Sequence, residues 1–149
     1  MTEETAKRQD NASADDGIHP CIIVVGQSPK IVDALRPECF WRRWVPLVVN
    51  DLDTALEAID CRAPSAVVVP LSIADVADGR FCSKARERHP NTFVPIVAYA
   101  DGVGSARVLA WAAGCDAFVP HSAGAAGLCR EVATLLTIAR QLRPLLLPR

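Results

Sequence analysis

Among the residues able to do chemistry, three carboxylates come first. Asp75, Asp78 and Asp101 follow apolar runs and sit on segments that read as loops. Acids so placed can bind a hard cation or accept a phosphoryl group when neighbouring charges hold the metal and the donor. Of the three histidines, His121 closes an apolar run and could serve as a ligand or a base, although no partner of the Cys-His-Asp kind is in view. His19 and His89 follow no pattern. Six cysteines (Cys21, Cys39, Cys61, Cys82, Cys115, Cys129) include no C-x-x-C pair, and most stand inside apolar runs, as small buried hydrophobes do. A thiol sensor needs an exposed cysteine beside basic residues, which leaves Cys61 before Arg62 and Cys129 before Arg130 as faint candidates. Gly26-Gln27-Ser28 could cradle an anion, a flavin phosphate included, at the start of a helix. However, GQSPK departs from both G-x-G-x-x-G and the P-loop, and Pro29 is more simply a first helical residue with Ser28 as its cap.

The elements that must position these residues alternate along the chain. Apolar, β-branched runs occur at 21–25, 45–50, 65–71, 93–100 and 116–120, as strands buried on both faces should. Helical patterns fill 29–43, 52–62, 79–89, 103–113 and 124–142. Asp51 or Asp53 is positioned to cap the second, Pro90 follows the third, and Gly114 ends the fourth. Pro37 is expected to kink or split the first helix. Such alternation predicts an α/β domain, a doubly wound parallel sheet with helices on both faces. Pro46 and Pro120 suit edge strands, and the flavodoxin-like order 2-1-3-4-5 puts strands two and five at the edges. Pro70 must then close the central third strand where its ladder is finishing.

The chain has 149 residues, half of them hydrophobic, enough for one domain with a real core. Residues 1–18 carry five acids against Lys7 and Arg8, and their polar, aperiodic composition predicts a disordered arm. Deleting that arm is expected to leave the thermal midpoint nearly unchanged; a fall of several degrees would mean that it docks. Residues 19–142 form the domain and 143–149 a short tail. The net charge of −1 includes no basic stripe, which excludes a nucleic-acid footprint. No apolar run approaches ~20 residues and no secretory leader opens the chain, so a cytoplasmic location is expected, off the membrane.

Segment by segment, the chain resembles the receiver domain of bacterial two-component response regulators over about residues 20–140. CIIVVGQSP is similar to the family's first strand, SAVVVPLSIADVADGRFCSKARERHP to its third strand, loop and third helix, NTFVPIVAYA to its fourth strand, and AGCDAFVPHS to its fifth. The resemblance implies a phosphoacceptor aspartate at the position of Pro70, metal-binding acids at Gly26 and Gln27, a switch hydroxyl at Ala100 and a lysine at His121. None of these residues can do the family's chemistry, and the loop after Pro70 is one residue longer than the family pattern. With no acid cluster to hold Mg²⁺, Asp75, Asp78 and Asp101 read as solvated loop carboxylates.

Phe118 matches the aromatic that turns inward on activation in receivers. Ala106, Ala110 and Ala113 mark the inward face of the fourth helix, so Trp111 is expected to point partly outward on the side that receivers use for partners and dimers. The expected function is therefore a non-enzymatic, phosphorylation-independent signalling adapter, without metal or cofactor, that binds another signalling protein or a second copy. A small-molecule or thiol-redox sensor using the vacated pocket, and a regulatory module of a transcription factor, are the alternatives.

Overall fold

A computed structural model describes residues 19–26, 29–88, 93–101 and 104–146, with the backbone alone at 29 and 142–146. The acidic arm 1–18, Gln27, Ser28, His89 and Pro90 lie outside the described residues. Five strands, β1 (Cys21–Val25), β2 (Val45–Val49), β3 (Ala66–Pro70), β4 (Ile96–Ala100) and β5 (Ala117–Pro120), form one parallel sheet in the order β2-β1-β3-β4-β5. Between them run α1 (Pro29–Arg42), α2 (Leu52–Arg62), α3 (Arg80–Arg88), α4 (Ser105–Ala112) and α5 (Gly124–Leu146). The long loop after β3 contains one extra helical turn, Ala74–Ala77.

Alternation along each strand sends successive side chains to opposite faces. Ile23, Val25, Val67, Val69, Ile96, Ala98 and Phe118 pack toward α2, α3 and α4 in one cluster. Ile22, Val24, Val68, Val97, Tyr99 and Val119 pack toward α1 and α5 in the other. Because both faces are covered, β3 is buried at every residue.

The prolines lie where a missing N–H costs least. The Val45 N–H bonds to the Pro20 carbonyl, so the next residue, Pro46, turns its nitrogen to the open edge of β2. The N–H groups of Val67 and Leu71 bond to the β4 strand and its approach, which leaves Pro70 facing β1. The β1–β3 pairing ends at Val24 and Val68, and the Val25 carbonyl beyond it accepts the Tyr99 hydroxyl instead. Pro37 does not split α1, which continues through it as one helix. Pro37 and Asp33, whose carbonyl the absent N–H would have served, both lie on the exposed side, where that carbonyl is open to solvent. The final helix also continues beyond 142, to Leu146.

Asp51 caps α2, its carboxylate accepting from the Thr54 N–H at 2.8 Å. That bond holds the carboxyl below its ordinary value of 3.8. The cap therefore contributes fully above that value and loses its contribution as pH falls through the lower folded value. Thermal scans of the protein and of Asp51→Ala should converge on acidification, and a gap that widened would refute this reading.

Candidate functional site

The carboxyl ends of the strands meet at one edge, where open α/β sheets place their sites. There the residues past β3, β4 and β5 enclose a shallow cavity of about 450 Å³, lined by Pro70, Leu71, Ser72, Tyr99, Ala100, Asp101, Leu109 and His121. Three of the expected pocket residues, Pro70, Ala100 and His121, are thus brought together. Gly26 follows β1 and gives its N–H to the Val49 carbonyl at 3.0 Å. A Cβ at Gly26 would stand 2.8 Å from Val32 Cγ2, so a stiff, β-branched side chain of α1 fills the space where a longer residue would begin. Among the described residues, no three of His, Cys, Asp and Glu lie together as a metal site.

His121 has the partner that was not in view from the sequence. Its Nδ1 is 2.8 Å from Asp101 Oδ1, with both groups solvent-exposed, so the pair orients the ring more than it stabilises the fold. Asp101 lies twenty residues upstream, but Ala100 and Pro120 are register partners of adjacent strands, and the next residue of each comes alongside. Tyr99, overlooked in the sequence, packs its ring 5.2 Å from that of His121 and donates its hydroxyl to the Val25 carbonyl at 3.2 Å. Burial pushes its phenol above the usual 10. A second cavity of about 280 Å³ lies beyond this pair, lined by Lys30, Ile31, Ala34 and the start of α5.

The other two loop carboxylates are committed elsewhere. Asp75 and Asp78 reach Arg80 at 3.8 and 3.4 Å, and Asp78 also accepts the Arg80 N–H. Of the two thiol candidates, Cys61 is exposed, whereas Cys129 is buried against α1 and cannot be the exposed thiol that a sensor there requires.

Away from the strand ends, α4 turns Ala110 inward and leaves Trp111 80% exposed, with Val108 on the same side. Phe118 is buried, and the Arg107 guanidinium lies 5.5 Å over its ring. A cavity of about 290 Å³ separates Trp111 from Phe118, with Cys115 and Asp116 on its wall. An exposed aromatic pair, Phe40 and Trp41 at the end of α1, meets edge to face at 5.7 Å. Trp44 is half-buried under Arg42.

Arg86 was not legible as a special residue. From α3 it donates to the carbonyls of Val94 and Gly114 at 3.0 and 3.2 Å and to Asp116 at 2.9 Å. Asp116 also accepts the Ile96 N–H at 2.7 Å, so one ion pair ties α3, the start of β4 and the turn before β5.

No family profile matches this chain, and no curated protein matches it in sequence. Solved structures do match. The neighbours are receiver domains of response regulators. A CheY-like receiver domain protein from Methanospirillum hungatei JF-1 aligns with a TM-score of 0.69 at 14% identity, over 83% of this chain and 98% of that one. The CheY-like protein tadZ from Pseudomonas aeruginosa PAO1 aligns at 0.61 and 20% identity, over 76% and 99%. HP1043, an orphan response regulator of H. pylori, aligns at 0.66 and 13% identity, over 78% and 96%. At such identities the likeness concerns the fold. Among the described residues no helix is long and apolar enough to cross a membrane.

Proposed function

We propose that this protein is a cytoplasmic pseudo-receiver, a non-enzymatic signalling adapter that works by binding another protein and not by phosphorylation. The observation that carries the reading is Pro70 at the end of β3, in the cavity where a receiver would present its aspartate. Proline has no nucleophile, Ala100 has no hydroxyl, and the Val32 methyl against Gly26 leaves no space for a metal-binding acid. The residues present therefore do not fit Mg²⁺, which takes hard oxygen ligands.

With the pocket chemistry gone, the exposed apolar surface of α4 is the feature that best suits partner binding. Trp111 and Val108, one helical turn apart, are exposed on the α4-β5-α5 side, and tryptophan is enriched among residues that dominate binding energy. The partner is a signalling protein or a second copy of this chain. Capture from the source cytoplasm with the wild type and with Trp111→Ala tests this reading. The substitution is expected to weaken recovery of a specific partner by about 2 kcal/mol, roughly thirtyfold, while the thermal midpoint stays put because the side chain packs against little. Equal recovery by both forms would refute the surface assignment.

A second reading is a small-molecule sensor, favoured by the His121–Asp101 pair on the wall of the cavity of about 450 Å³. A ligand that stabilises the protein but not His121→Ala would select it.

A further inference from the structure

We propose that Cys82 and Cys115 are a reversible dithiol–disulfide pair, oxidised by a small hydroperoxide, which locks the turn between α4 and β5. The two sulfurs belong to residues 33 apart in sequence, yet they lie 3.8 Å apart, in contact, and both residues are buried. The backbone is arranged around that contact. Gly114 adopts φ 93°, and a Cβ there would stand 3.1 Å from Cys82 Cβ, so only glycine lets the turn come this close to α3. Arg86, one helical turn after Cys82, holds the residues on both sides of Cys115, the Gly114 carbonyl and the Asp116 carboxylate. The Cys115 N–H bonds back to the Ala110 carbonyl, which fixes the turn to the end of α4.

A cavity of about 290 Å³ beside Trp111 and Phe118 reaches the pair on the Cys115 side, with Cys115 on its wall. In the shared contact either thiol can donate to the other, and the Arg86 charge favours a thiolate at both. The sulfur that ionises attacks the peroxide, the O–O bond breaks, and the departing oxygen takes up a proton as water or alcohol. The partner sulfur then attacks the sulfenic acid so formed, the S–S bond forms, the S–O bond breaks, and water leaves with the second thiol proton. Two electrons pass from the thiols to the peroxide.

Closing the bond draws the sulfurs together to ~2.05 Å, which shifts α3 against the turn that carries Asp116 and leads into Phe118. That this changes partner recognition rests on the adapter reading; the disulfide itself does not. The test treats the full chain with hydrogen peroxide, blocks remaining thiols and maps peptides without reduction. The expected result is loss of both reduced peptides, a Cys82–Cys115 cross-link, and its reversal by dithiothreitol. Of Cys115→Ala and Cys82→Ala, the variant that keeps the attacking sulfur should instead accumulate dimedone-reactive sulfenic acid on it. Recovery of both thiols reduced after the exposed Cys61 has been oxidised, or no dimedone adduct on the remaining sulfur of either variant, would overturn the proposal. Unchanged partner recovery by Trp111→Ala under reducing conditions would remove the adapter reading and leave the disulfide standing.

Discussion

Beryllofluoride with Mg²⁺, or acetyl phosphate, is expected to leave the amide resonances of Gly26, Leu71, Ala100 and His121 unshifted. Phosphoryl transfer to a receiver needs a nucleophile, a metal held by carboxylates and a cation on the transferring oxygens, all acting together. In this chain Pro70 ends the central strand, and Ala100 and His121 face the same cavity without hydroxyl or lysine. His121 has already engaged the one carboxylate on that wall, Asp101. Single restorations should fail, because groups that act as a unit do not contribute additively. Pro70→Asp would place a carboxylate at a buried position with no metal to balance it, a cost in stability before any gain in chemistry. Gly26→Asp would meet the Val32 methyl at the first side-chain atom. Saturable shifts centred on these residues, with an acid-stable but hydroxylamine-labile phosphate, would contradict the adapter reading outright.

Asp116→Ala is expected to cost about 3 kcal/mol of stability, one of the larger effects of a single polar substitution here. Its carboxylate takes the Ile96 N–H and the Arg86 guanidinium at once, so removing it orphans a backbone donor in the sheet and frees a cation pinned between two carbonyls. Arg86 and Asp116 retain some exposure, so the purely electrostatic part is screened and the orphaned N–H carries most of the loss. For a chain of this size that loss corresponds to roughly 10 °C in thermal midpoint. Asp116→Asn keeps an acceptor for Ile96 and gives up only the charge, so it should lie between the two. Urea denaturation of the three proteins measures the series. A loss below ~1 kcal/mol for Asp116→Ala would mean that water replaces the carboxylate at both partners.

The fold was legible because strands buried on both faces must be written almost wholly in apolar, β-branched residues. CIIVV and SAVVVPL left no other reading, and proline sorts strands by the single hydrogen bond it cannot make. Pro46 and Pro120 therefore marked the edges, and Pro70 marked the end of the central ladder. The same rule did not decide between a kink and a split at Pro37, and α1 is not split there, because whether a lost bond breaks a helix depends on the exposure of the carbonyl, which is a tertiary property. That Pro70, Ala100 and His121 would share one strand-end cavity was also readable, since residues at strand ends stay there once the order is known; Tyr99 and Leu109 on its wall were not. What those residues touch was not. Asp101 orienting His121, Arg86 gripping the turn before β5 and the two sulfurs in contact all join positions far apart in the chain, and Val32 fills the space beside Gly26 only through the way α1 packs. Sequence patterning specifies which face a side chain takes. Only register and helix packing bring two faces within ångströms of each other, and the chemistry of this protein resides in those contacts.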